Sequence, residues 1–286
     1  MANIVIFGGQ GYLGQNLIYQ CGTEHNFMTI GRSTDRAESG IEYSHVSISD
    51  PVLFEKLNLF KPDYFLISYY GNPMIQDVDV YNRLNNNIWS IYESINSHPK
   101  IVFLSSQLVY GDDESYYNKI VNPSDFYGQM CIEFERQIQV KTPDRYLIVR
   151  VPVVYGGVPS LKNGYKNIIS VFINLAKNGK ELMVFGNGLQ TRSIIHMEDF
   201  VTFINKVLTS APRINIINAS FDEHYSIREL AALISKEFKV PCILDREWPV
   251  SKSPEKLYDI RLDPTAAQSL VSHQWDLKNY LKVINE

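Results

Sequence analysis

The sequence predicts an α/β protein built on a doubly wound parallel sheet, followed by a smaller α/β part. Three observations carry this: short β-branched apolar runs alternate with helix-spaced segments, those runs are apolar at nearly every position, and a glycine-rich turn joins the first run to the first helix. A strand that is apolar throughout needs both faces covered, which crossover helices provide.

The strands read as NIVIF (3–7), FMTI (27–30), DYFLIS (63–68), KIVFLSS (100–106) and RYLIVRVPVVY (145–155). Helical spacing occupies 12–20, 51–60, 77–96 and 125–140 between them. After Tyr155 the rhythm breaks at GGVPSLKNGYKN (156–167), and a helix, short strands and further helices run on to Trp275. Residues 1–155 are expected to form one unit and 156–286 a second, some of whose segments return to the sheet.

Composition narrows the function. The 286 residues are 45% hydrophobic and 20% charged, ordinary for a globular protein with room for a core and a cleft. With 27 basic against 31 acidic residues, the net charge of −4 argues against nucleic acid or a membrane surface as partner. Cys21, Cys131 and Cys242 are scattered and match neither a disulfide framework nor metal-ligand spacing, so no metal is expected. No apolar run approaches the roughly 20 residues of a membrane helix, and residues 1–7 lead into a strand rather than a signal peptide. A cytoplasmic protein acting on small molecules is the expectation.

Gly8, Gly11 and Gly14 stand directly after a strand and at the mouth of a helix, with Tyr12 and Leu13 between them. Without Cβ atoms the chain turns tightly and approaches a pyrophosphate, while the helix N-terminus offers free N–H groups. The first unit is therefore expected to be a dinucleotide-binding, Rossmann-type domain. Which dinucleotide depends on the end of the second strand, where an acid would receive the ribose 2′-OH of NAD. Here the sequence is MTIGRSTDR: Gly31 replaces the acid, and Arg32 and Ser33 offer donors to a 2′-phosphate. NADP is favoured, with NAD possible.

The fourth of these strands ends in FLSSQLVYG, and NPSDFYGQMCIEFE opens a helix soon after. These segments, with VRVPVVYGG (149–157), MVFGNGLQTRSIIHMEDFV (183–201) and YSIRELAALI (225–234), resemble the extended short-chain dehydrogenase/reductase family of nucleotide-sugar epimerases, dehydratases and ketoreductases, in family order along essentially the whole chain. The resemblance implies that Ser106 hydrogen-bonds the reacting oxygen and that Tyr127 is the general acid/base. The chemistry agrees, because hydride movement at a sugar carbon requires proton transfer at the attached oxygen.

One departure is large. The family's Y-x-x-x-K motif places a Lys one helical turn beyond Tyr127, where it holds the nicotinamide ribose and lowers the phenol pKa; here that cofactor-facing position is Cys131. Three readings stand: an enzyme with a differently tuned Tyr, one in which another cation such as Lys119 substitutes, or a protein that binds nucleotide without turnover. Cys131 itself reads as a small packed hydrophobe rather than a nucleophile.

The residues after Ser106 narrow the reaction. Dehydratases of the family carry an acidic pair where this chain has Gln107 and Leu108, neither of which moves a proton. That leaves 4-keto reduction of a nucleotide sugar, with single-carbon epimerisation as the alternative. The resemblance makes Arg192 a pyrophosphate contact; Gln107, Tyr165 and Asn167 are further candidates for the substrate. Val153 stands where relatives often have a substrate-contacting Asn. Many relatives pair through two long helices, so a homodimer is expected through 77–96 and 125–140, with Trp89 and Tyr92 either exposed for that contact or packed against the sheet.

Overall fold

In the computed structural model, residues 1–31, 44–68, 76–111, 115–158, 167–210, 213–247 and 259–286 are described. The first half runs β1 (Asn3–Phe7), α1 (Tyr12–Cys21), β2 (Asn26–Gly31), β3 (Ser44–Ser47), α2 (Leu53–Phe60), β4 (Tyr64–Ile67), α3 (Val78–Ser94), β5 (Lys100–Ser106), α4 (Phe126–Lys141) and β6 (Tyr146–Val151). There follow β7 (Val153–Tyr155), α5 (Ile168–Lys177), β8 (Leu182–Phe185), β9 (Thr191–His196), α6 (Met197–Ser210), β10 (Ile216–Asn218), β11 (His224–Ser226), α7 (Ile227–Phe238), β12 (Cys242–Arg246), α8 (Thr265–Gln268) and α9 (Leu277–Asn285).

Seven strands form the main sheet in the order β10-β6-β5-β4-β1-β2-β3, and their pairings are parallel. Its strands are covered on both faces, as their apolar runs require: Ile4, Val5, Ile6, Phe65, Ile67, Ile101 and Phe103 have no solvent exposure. One face packs against α2, α3 and α4, the other against α1 and α6. Two small sheets, β11-β9-β7 and β12-β8, share a third core with α5, α7 and α9.

Three details refine the sequence reading. The run 145–155 is two strands rather than one, because Pro152 has no N–H for the ladder; β6 stays in the main sheet and β7 crosses to the small one beside β9. Strand β3 was hidden by its composition, SHVS, which is too short and polar to stand out. Trp89 and Tyr92 are not exposed: they are 5% and 9% accessible. Trp89 packs on Phe134 and Tyr92, and its Nε1 donates to Gln137. The outward side of α3 and α4 carries Asn82, Arg83, Asn86, Glu133 and Arg136 instead.

Candidate active site

The turn after β1 is built around atoms that exclude side chains. Gly8 sits at φ +85°, and a Cβ on Gly14 would stand 2.5 Å from the Gly9 Cα and 2.8 Å from the Gly8 carbonyl. Gly11 precedes α1 as its N-cap and has no side chain to close the first turn, so the helix end stays open to an anion. Tyr12 and Leu13 begin that helix; both are half-buried, and the Tyr12 hydroxyl donates to the Gly156 carbonyl. Further along α1, Asn16 donates to the Val158 carbonyl at 2.9 Å and accepts from the Val158 N–H at 2.9 Å. The cradle is thus tied to the loop that leaves β7. Its shape fits a dinucleotide pyrophosphate: the turn is narrow because only hydrogen fits, and the helix dipole faces its mouth.

Ser106 closes β5, half-buried, with its Oγ accepting from the Leu108 N–H at 3.1 Å. Tyr127 lies in the first turn of α4, half-buried, just after Asp125, whose carboxylate caps the helix by accepting from Gly128 N at 2.9 Å. Gly128 lets the elements that carry them meet. A Cβ there would stand 2.2 Å from the Leu108 carbonyl, so the first turn of α4 rests directly on the turn that follows Ser106. Gln107, inside that turn, is 3% exposed, and its Oε1 has no hydrogen-bond partner.

Cys131 needs correcting as a cofactor contact, because it is fully buried in the core and offers a ligand no surface. Burial pushes its thiol well above the ordinary range; a hydrogen bond with Tyr127 works the other way, while Glu135 and Asp125 add to the rise. The position that would hold a lysine is dry and flanked by carboxylates. The Asp263 carboxyl is held below its ordinary value mainly by Thr265, with a smaller contribution from Lys119. Arg192 acts nearer, its charge opposing the burial that raises the Asp125 pKa.

Beneath Tyr127 and Ser106 runs a buried polar chain that the sequence reading missed. Glu135, two turns along α4 from Tyr127, has no exposure and accepts from Ser105 Oγ, from Arg150 Nε at 3.2 Å and from Arg150 Nη2 at 2.8 Å. Arg150 Nη1 donates to the Tyr110 hydroxyl at 3.0 Å, which donates to Asn218 at 2.9 Å. Burial opposes the Arg150 charge, and the Glu135 bonds overcome it and raise its pKa. The signal was available, since charges within runs such as LIVRVP and CIEFE demand a buried partner.

On the opposite wall, Arg192 on β9 donates from Nη1 to the Thr191 carbonyl at 2.8 Å. Neighbouring acids are committed to the fold: Asp199 accepts from Gln274 N and Trp275 N, and Glu198 from Trp275 Nε1. His196 lies among Tyr155, Trp275 and Tyr280, where burial lowers its pKa to about 4. Asn167 caps α5, donating to the Val154 carbonyl at 2.7 Å and accepting from Ser170 N at 2.9 Å, so its amide is engaged within the chain. Arg32, Ser33 and Tyr165 lie outside the described residues.

Residues 4–220, most of the chain, match the profile of the NAD dependent epimerase/dehydratase family. The chain belongs to this family. A Methanocaldococcus jannaschii chain whose name proposes a UDP-glucose 4-epimerase is 28% identical over 315 residues, covering 99% of this chain and 97% of its own length. A Streptomyces dTDP-4-dehydro-6-deoxy-D-allose reductase is 29% identical over 161 residues, covering 56% of this chain and 43% of its own. Among solved structures, the UDP-glucose 4-epimerase of Thermus thermophilus in complex with NAD superposes with TM-score 0.80 at 13% identity, covering 99% of this chain and 97% of that one. This family member is therefore an enzyme of the NAD dependent epimerase/dehydratase type with a Rossmann-type core.

Proposed function

We propose that the enzyme reduces the 4-keto group of a nucleotide-linked 6-deoxysugar, with NADPH as cofactor and Tyr127 as the proton donor. The carrying observation is the surroundings of Cys131, where the charges that reach the thiol come from Glu135 and Asp125. A phenol one turn away from that site, with no ammonium supplied from position 131, is favoured in its protonated form. Reduction needs a donor, whereas alcohol oxidation needs the phenolate, so the substitution costs the first direction less.

The residues divide the work. Gly8, Gly11, Gly14, Tyr12 and Leu13 hold the cofactor's pyrophosphate end, and the nicotinamide, when bound, supplies the hydride. Ser106 orients the carbonyl oxygen, and Tyr127 delivers its proton there. Arg192 receives the sugar's diphosphate through paired N–H bonds; Gln107, at 3% exposure, is too buried to reach the sugar. A homodimer through α3 and α4 would rest on polar contacts such as Glu133 and Arg136, and cytoplasmic residence suits three free cysteines.

Incubation with NADPH and a panel of nucleotide-linked 4-keto-6-deoxysugars tests the reading by loss of reduced-nicotinamide absorbance. Sugar interconversion without net oxidation would favour the epimerase, a reading that the full-length likeness to the Methanocaldococcus jannaschii chain supports. Cofactor binding with neither product would leave a non-catalytic member of the family.

A further inference from the structure

The end of β2 explains why residue 31 is glycine. Thr29 pairs with His45, and Gly31 with Ser47, across the parallel β2–β3 ladder. The His45 ring lies along this face of β2: Nδ1 is 2.6 Å from Thr29 Oγ1, while Cε1 and Nε2 are 3.0 and 3.7 Å from where a Cβ on residue 31 would stand. An acid at 31 would meet the imidazole. Thr29 also links the ring to the cradle, because a Cβ on Gly9 would lie 2.3 Å from the Thr29 Cγ2. Gly8 N donates to the Ile30 carbonyl at 3.2 Å, fixing the glycine turn against this strand end.

We infer that His45 takes the place of the missing acid and reads the adenosine ribose, its imidazole edge contacting a 2′-phosphate, so that the seat selects NADP(H) over NAD(H). The inference rests on the reading of residues 8–14 as a dinucleotide seat. A carboxylate at 31 would accept from a 2′-OH and repel a phosphate. An imidazole at that place carries no negative charge and has ring nitrogens suited to phosphate oxygens. With Nδ1 held by Thr29, Cε1 is the ring atom nearest residue 31, and Nε2 beside it is the second ring nitrogen. His45 is half-buried, and its Nδ1 side is held by Thr29. This contact is separate from any contribution of Arg32 and Ser33.

Equilibrium titration of NADPH and NADH, read by calorimetry without sugar substrate, tests this in the whole protein. The wild type is expected to bind NADPH more tightly, and His45→Ala to lose at least tenfold in NADPH affinity while NADH changes less than twofold. Gly31→Asp combined with His45→Ala, in which the vacated space accepts the acid, is expected to prefer NADH. Unchanged melting temperatures confirm that each variant is folded. Equal losses for both cofactors in His45→Ala, no loss for either, or a double variant that still prefers NADPH would overturn the role. A wild type that binds neither cofactor overturns the seat itself. Turnover is not read, so an inactive ketoreductase with NADPH selectivity refutes only the reaction.

Discussion

Replacing Glu223 with Gln should stabilise the protein above neutral pH and destabilise it slightly, by about 1 kcal/mol, below pH 4.5. Glu223 accepts from Leu277 N at 2.7 Å through Oε1 and from the Tyr155 hydroxyl at 3.1 Å through Oε2, joining the start of α9 to β7. Burial nevertheless raises its pKa from 4.5 to about 7, the two hydrogen bonds opposing and Asp276 adding to the rise. A carboxyl whose folded pKa exceeds its unfolded value contributes stability that is complete below about 4.5 and lost as pH rises through about 7. At 1.36 kcal/mol per pH unit, that interval amounts to about 3 kcal/mol of penalty on the charged form. Gln keeps the acceptor for Leu277 but presents an amide N–H₂ to Tyr155, which must turn to accept, at a cost of about 1 kcal/mol. The net gain at pH 8 is about 2 kcal/mol, or roughly 4 °C in melting temperature. Thermal unfolding of both proteins at pH 5 and pH 8 measures it. A difference in melting temperature that is the same at both pH values refutes the burial argument.

Gly14→Ala should abolish cofactor binding by calorimetry while costing turnover completely, since its Cβ would meet the Gly9 Cα at 2.5 Å. Glu135→Ala should destabilise by about 3–5 kcal/mol in urea unfolding, because Arg150 is left buried without its partner; Glu135→Gln should cost less. Tyr127→Phe should bind cofactor normally and turn over nothing. Cys131→Lys should move the pH profile of alcohol oxidation to lower pH by a unit or more, as the ammonium stabilises the phenolate; an unchanged profile means another group already does so.

Much of this was legible because the parallel sheet leaves a strong imprint. Runs such as KIVFLSS and NIVIF are buried on both faces and therefore unmistakable, and Gly8, Gly11 and Gly14 are read from the only geometry that needs all three. Ser106 and Tyr127 are expected from the family pattern, whereas the close packing of α4 on the turn after β5 depends on Gly128, whose Cβ would meet the Leu108 carbonyl and Pro123. Trp89 and Tyr92 were left open between core and partner, because an apolar side chain on a helix serves either equally well in sequence; the structure places them in the core. His45 was invisible for a different reason. Its strand is four residues long, and its meaning comes from a ring lying across Gly31, a contact between strands that no periodicity records.

The placement of β10 bears on how the chain is made. Ile216–Asn218 completes the main sheet beside β6, and α6 before it buries Phe200 and Phe203 without exposure. A chain emerging from the ribosome has the glycine cradle, Ser106 and Tyr127 in hand once β6 is out, yet at that stage β6 is an open edge and one sheet face has α1 but lacks α6. Folding of the first half must wait for residue 218, leaving a nascent intermediate with an exposed strand edge and apolar face. Chain termination after residue 155 should therefore yield aggregates rather than a small nucleotide-binding domain, and chaperone demand should fall once translation passes β10.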